Sequence, residues 1–455
     1  MFSYNGKIIE KIGFLGFGKS NLGVYEYLLK KIGSFDLTLR CNSVSDVPKI
    51  TPNRVFCGKN MLSDINEDIL FISPSARRDI KELTEAESRG VILSSDAEFF
   101  LSLSYADIYA ITGSDGKSTT TYLTSRLLSE VYKEVVPCGN FGESLTPHLD
   151  DEAGTAYAAE LSSFQLMYMK PHSERCVITN ISENHLNWHS SFEEYINAKR
   201  NVLDNSKHRI INYDCEITRN IAKDYELFAV FSRKESEKEL KRRIKADIYV
   251  TESNGKIFVS GEQMLDTENI LVGGNHNILN FMAAIALSYG KCKRDNIENL
   301  AKSFGGLPNR CELVSTINGV KYYNSSIDSS PKRCAATLNM FSDRVILIIG
   351  GRSKGLDFSE LLPTLRIKTK GIIITGECGK EIEDLLNNHD FFKTGIPFLR
   401  IDTFSEAVKY AVQTANGGDT VLLSPAATSF DCFKNFEERG NEFKKILKGF
   451  EIERK

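Results

Sequence analysis

The chain has 455 residues, 41% hydrophobic and 26% charged, with a formal net charge of −3. That length exceeds one hydrophobic core and predicts roughly two to four domains of ordinary globular composition. The slight acidic balance argues against a general nucleic-acid binder, which carries a basic excess.

Residues 7–100 alternate short apolar runs with helical stretches. Strands are predicted at 12–16, 37–41, 55–56, 69–72 and 91–93, with a helix at 22–32, the pattern of a doubly wound parallel sheet. The first turn, Gly16-Phe17-Gly18-Lys19-Ser20-Asn21, has Asn21 where a dinucleotide fingerprint has its third glycine. The next strand ends Leu39-Arg40-Cys41-Asn42, without the acid that holds a ribose hydroxyl. A diphosphate or nucleotide on that helix start is the better reading than NAD. A second α/β unit opens at 108, with strands at 156–161, 176–181 and 209–212, a hairpin over 246–260 around Ser253-Asn254-Gly255, and an amphipathic helix over 276–287. The charge-rich stretch 235–245 reads as a solvated helix. A third unit begins near 304, with strands at 320–323, 345–349, 372–375 and 421–424.

Ten cysteines without a Cys-x-x-Cys pair read as reduced thiols. No uninterrupted apolar segment approaches the ~18–20 residues that span a bilayer, and residues 1–11 lack a signal-peptide core. A cytoplasmic protein without membrane insertion is expected.

The chemistry concentrates in Ile111-Thr112-Gly113-Ser114-Asp115-Gly116-Lys117-Ser118-Thr119-Thr120. A buried strand breaks at Gly113, and a helical run over 119–128 follows. Backbone amides at such a helix start face phosphates, the lysine adds positive charge, and Ser118 can ligate Mg²⁺. Only Ser114 and Asp115 separate the two glycines, so the loop is shorter than the usual nucleotide-binding one. Glu160 ends the strand before Leu161-Ser162-Ser163-Phe164-Gln165, where a carboxylate is placed either for Mg²⁺ or beside a helix cap. His185 follows Asn180-Ile181-Ser182-Glu183-Asn184; imidazole there reads as a Zn²⁺ ligand, a substrate contact or a plain hydrogen-bonding group. Lys199 alone reads as an exposed helix lysine. Asn277 and Asn280 share a helix face and can meet a purine edge or cap the helix. The run 423–431 offers small and hydroxylated residues after a strand, whereas 436–440 reads as solvent-facing helix.

In order, these segments resemble the Mur ligase family, in its D-glutamate-adding branch. The resemblance rests on 113–120, Gly139-Asn140-Phe141-Gly142, 160–165, 180–185, Lys199, 274–280, 306–310 and 424–440. It implies three consecutive α/β domains: a Rossmann-like domain (1–104) for a UDP-linked substrate, a central P-loop ATPase-like domain (105–305), and a Rossmann-like C-terminal domain (306–455) for the amino acid. Gly113, Ser114, Asp115, Gly116, Lys117, Ser118 and Thr119 would hold ATP, with Asn277, Asn280 and Arg310. Ser118, Glu160, His185 and Lys199, the last as a CO₂-derived carbamate, would organise Mg²⁺. Lys117, Glu160, His185 and Lys199 form the implied catalytic set. Lys19, Ser20 and Arg40 would hold the uridine diphosphate, and Asn140, Ser162 and Gln165 the muramoyl portion. Ser429 and Phe436 would contact D-glutamate.

The implied reaction adds D-glutamate to UDP-N-acetylmuramoyl-L-alanine through an acyl phosphate, in a monomer without nucleic acid. Asn324-Ser325-Ser326-Ile327-Asp328-Ser329 departs from the family's Asn-Asp-Ser-Lys-Ala-Thr. Ile327 replaces a lysine that often holds the D-glutamate side chain, Ser329 a threonine and Ser325 an aspartate. Lys332 or Arg333 is expected to restore the charge. Asp115 also puts an acid into the phosphate loop. The alternatives are another Mur-type or folylpolyglutamate-type amino-acid ligase, or a non-catalytic nucleotide-binding paralogue.

Overall fold

The computed structural model describes residues 2–43, 50–141, 144–150, 153–186, 188–272, 274–353 and 355–452. Gly142, in one of the segments quoted above, lies outside them. The chain is α/β, with three main sheets in two compact units, 1–303 and 304–455.

The first unit opens with a hairpin, Phe2–Tyr4 with Lys7–Ile9. A five-stranded parallel sheet follows, ordered Arg54–Cys57, Asp36–Cys41, Lys11–Leu15, Ile69–Ile72, Ile92–Ser94. The chain builds one side of Lys11–Leu15 and then the other, leaving a switch-point crevice at the strand ends. Asn21 anchors the glycine turn there: its side-chain amide donates to Gly16 O at 2.6 Å and Phe71 O at 3.3 Å.

The same unit carries a nine-stranded sheet: Glu262–Asp266, Lys256–Val259, Ala246–Ser253, Leu227–Ser232, Asn205–Asn212, His172–Ile178, Asp107–Thr112, Thr155–Glu160, Glu134–Gly139. All neighbours are parallel except the antiparallel meander through its first three members. Its central strands are buried along their length because helices cover both faces, which is why they read as unbroken apolar runs. Glu134–Gly139 escaped sequence reading because Pro137 interrupts it; proline is tolerated at this sheet edge, where its missing N–H costs no ladder bond.

The second unit holds a six-stranded sheet ordered Glu312–Ile317, Val320–Asn324, Thr420–Leu423, Val345–Gly350, Thr369–Thr375, Phe398–Arg400. Only the first pair is antiparallel. Among the described residues no helix is long and apolar enough to cross a membrane.

Candidate active site

Asp107–Thr112 lies between Thr155–Glu160 and His172–Ile178. All three are parallel, so their C-terminal ends bring the phosphate loop, Glu160 and the segment 179–185 to one edge. Glycine is required twice. Gly113 has φ +152°, and a Cβ there would fall 1.9 Å from Thr179 Oγ1; Gly116 has φ +79°, with a Cβ 2.2 Å from Asn280 Oδ1.

Ser114 N donates to Asn180 O at 2.8 Å and Asp115 N to Asn180 Oδ1 at 3.0 Å. Asn180 Nδ2 returns a bond to Asp115 O at 3.0 Å. Those two loop amides therefore shape the loop rather than meet phosphate, and the Asp115 side chain is exposed. The amides left open at this loop are those of the helix Lys117–Leu128. The amides of Lys117, Ser118 and Thr119 have no intrahelical acceptor, and the first turn holds no acid. Beside this helix start is a cavity of about 490 Å³, lined by Gly116, Thr119, Asn180, His276, Leu279 and Asn280 among others. Asn280 lines it, and the Asn277 amide donates to Val272 O at 2.8 Å. His276, at the helix start, was missed.

Glu160 is buried, and both its oxygens are engaged: Ser118 Oγ and Asn140 Nδ2 each donate at 2.7 Å. Lys199 projects from the helix Phe192–Asp204 and is 2% exposed, not the surface lysine its sequence context predicts. Its Nζ donates to Gly113 O at 2.7 Å and lies 4.8 Å from the Tyr195 ring centre. Burial, then the charge of Lys117, pushes its pKa well below the ordinary lysine range. Burial also lowers Lys117, whose Nζ donates to Ser114 O at 2.9 Å. His185 has φ +56° and packs on Phe164 at 5.0 Å. Partial burial, then Lys199 and Lys117, lower its pKa, favouring the neutral imidazole with a lone pair to give. Ser162 and Gln165 form a capping box on the short helix Ser163–Leu166.

At the N-terminal crevice, Lys19 and Ser20 open the helix Lys19–Ile32, which has no acid in its first turn. Arg40 does not serve a diphosphate. It is buried, and its five N–H donors are met by Glu67, Met61 O, Ser63 O and Asp64 O at 2.8–3.0 Å. The ligand contact was what the family resemblance implied; residues 61–67, distant in sequence, take up the donors instead.

In the second unit, Arg310 and Arg333 line a cavity of about 320 Å³ with Ile327 and Asp328. Ser329 N donates to Ile327 O at 2.8 Å, Ser429 O accepts from Phe433 N at 2.8 Å, and Phe436 O accepts from Ser326 Oγ at 2.8 Å. Arg439, read as solvent-facing, is buried. It donates to Ser326 Oγ, Ser326 O, Ala427 O and Thr428 O at 2.9–3.1 Å, and burial lowers its pKa to about 10.

Residues 111–288 match the Mur ligase middle domain, and 309–427 the Mur ligase glutamate ligase domain. The chain is 38% identical to the UDP-N-acetylmuramoylalanine--D-glutamate ligase of Ruminiclostridium cellulolyticum, with 96% of each chain covered. This chain belongs to the Mur ligase family. A second relative of this Mur ligase, the enzyme of the same name from Acetivibrio thermocellus, is 37% identical over 97% of both chains. The fold is also that of the UDP-N-acetylmuramate-alanine ligase of Thermotoga maritima, with a TM-score of 0.50 and 18% identity over 96% of this chain and 99% of that one.

Mur ligases are ATP-dependent and generally use Mg²⁺. The donor set fits that ion. Among the described residues no group of three or more His, Cys, Asp or Glu side chains converges into a metal cage. What is present is a buried carboxylate beside a serine hydroxyl, the hard oxygens to which Mg²⁺ adds water and nucleotide phosphates.

Proposed function

We propose that this Mur ligase joins D-glutamate to UDP-N-acetylmuramoyl-L-alanine in cytoplasmic peptidoglycan precursor synthesis. The L-alanyl carboxylate attacks the γ-phosphorus of ATP, ADP leaves, and an acyl phosphate forms. The amine of D-glutamate attacks the acyl carbon, phosphate leaves, the amine loses a proton, and an amide remains. The observation that carries the reading is the meeting of the Lys117 helix start, Glu160 and buried Lys199 at one sheet edge, beside a nucleotide-sized cavity.

Lys117 and the amides of residues 117–119 neutralise the phosphates where two anions must meet. Ser118, Glu160 and His185 would hold Mg²⁺, which supplies Lewis-acid stabilisation of the transferring phosphoryl group. Burial and a lowered pKa support carbamylation of Lys199: its neutral amine adds CO₂ and releases a proton, leaving an anionic carbamate. The Asn140 amide fixes the Glu160 carboxylate. In the amino-acid domain, Arg333 and Arg310 supply cations beside Ile327, where a dicarboxylate acceptor needs one.

The test is ADP release with UDP-N-acetylmuramoyl-L-alanine and Mg²⁺, comparing D-glutamate, L-glutamate and L-lysine. Turnover with D-glutamate alone is expected. Turnover with a different amino acid moves the chain to a sister ligase. Nucleotide binding without turnover on any acceptor marks a non-catalytic paralogue.

A further inference from the structure

Within the first unit, the loop 73–79 leaves the C-terminal end of Ile69–Ile72 and forms one wall of the N-terminal crevice. It lies against the opposite wall, since a Cβ on Gly16 would sit 3.1 Å from Ser73 Cβ. From this loop Arg77 reaches the turn that carries His185. Its Nη1 donates to Trp188 O at 2.8 Å, and Nη1 and Nη2 donate to the Glu194 carboxylate at 3.2 and 3.0 Å. Its guanidinium also stacks over the Trp188 ring at 5.1 Å. Trp188 Nε1 returns a bond to Ser75 O at 2.9 Å.

On the far side, Trp188 packs on Phe164 at 4.4 Å, and Phe164 packs on His185. Glu194 also meets buried His189 Nδ1 at 3.2 Å, and His189 Nε2 lies 2.9 Å from Ser163 Oγ, three residues beyond Glu160. Trp188 N and His189 N both donate to His185 O at 3.0 Å, so the turn moves as one piece. A forked cation, a stacked indole and a buried histidine thus tie the crevice wall to two segments flanking the phosphate loop.

We propose that Arg77 is a positioning residue that couples the N-terminal crevice to the phosphate-loop site, holding the His185 turn at a place set by the loop 73–79. The inference rests on the ligase reading for the identity of the crevice ligand. Occupation of the crevice then alters divalent-ion and ATP affinity, and by linkage ATP with its ion alters nucleotide-sugar affinity by the same factor.

Trp188 is the only tryptophan of the chain, so its emission reads this joint directly. The full chain is titrated with UDP-N-acetylmuramoyl-L-alanine, with binding followed by calorimetry and Trp188 by fluorescence. Wild type is expected to bind and change its emission. Arg77→Ala is expected to bind without the emission change, to need more Mn²⁺ for saturation beside a non-hydrolysable ATP analogue, and to lose about 10²-fold in kcat. Arg77→Lys, which keeps the charge but not the fork, recovers part of the loss. Glu194→Gln cuts the same link from the other side and serves if Arg77→Ala does not fold. Wild-type binding without an emission change, or a variant that responds as wild type does, overturns the coupling alone. Absence of wild-type binding overturns the ligase reading, and the coupling with it.

Discussion

Lys117 is proposed to neutralise the nucleotide phosphates at the loop. Lys117→Met removes the charge while keeping the stem, and kcat/KM for ATP should fall by at least about 10²; unchanged ADP release in the variant would place phosphate stabilisation elsewhere. Lys199→Ala should abolish turnover and regain part of it when a short carboxylic acid is supplied, since the acid replaces the proposed carbamate anion. Gly116→Ala should cost about 1–3 kcal/mol in thermal unfolding, because φ +79° and the Asn280 contact leave no room for a Cβ. At this scale the sequence was legible where chemistry is local: Lys117 and Ser118 follow a strand and a glycine turn within a few residues. It was misleading where burial decides. Lys199 and Arg439 sit in charged helical text that reads as solvent-facing, and only tertiary packing removes them from water. Arg40 failed the other way, since residues far along the chain exhaust its donors.

At the scale of elements, parallel strands gather the site, and loop-to-loop hydrogen bonds set its shape. The Arg77 fork holds the Glu194 carboxylate down to about 2, from an ordinary 4.5. A folded pKa below the unfolded one contributes stability above about pH 4.5, and that contribution is lost as pH falls toward 2. The stability difference between wild type and Arg77→Ala should therefore shrink through that window in acid unfolding; a constant difference would mean that packing on Trp188, not charge, dominates. In the second unit, Arg439→Met should leave the carbonyls of Ser326 and Ala427 without the guanidinium that meets them and cost at least about 2 kcal/mol in urea unfolding. The core strands were readable as apolar runs. The edge strand Glu134–Gly139 was not, because proline and glycine are turn signals except at a sheet margin.

For the whole molecule, we propose that two successive sheets in the first unit serve a nucleotide-linked carboxylate and ATP, while the second unit offers an amino acid. The fold class was legible because the strand-and-helix alternation restarts at the phosphate loop and again after 304. The acceptor was least legible, since Ile327 removes the expected cation and only the cavity shared by Arg310 and Arg333 shows where others lie. The most direct measurement of the central claim, carboxylate activation by phosphoryl transfer, uses UDP-N-acetylmuramoyl-L-alanine labelled with oxygen-18 in its carboxylate. The account predicts that a labelled oxygen appears in the inorganic phosphate released during turnover with D-glutamate. Unlabelled phosphate, with all of the label retained in the amide product or the substrate, would contradict it.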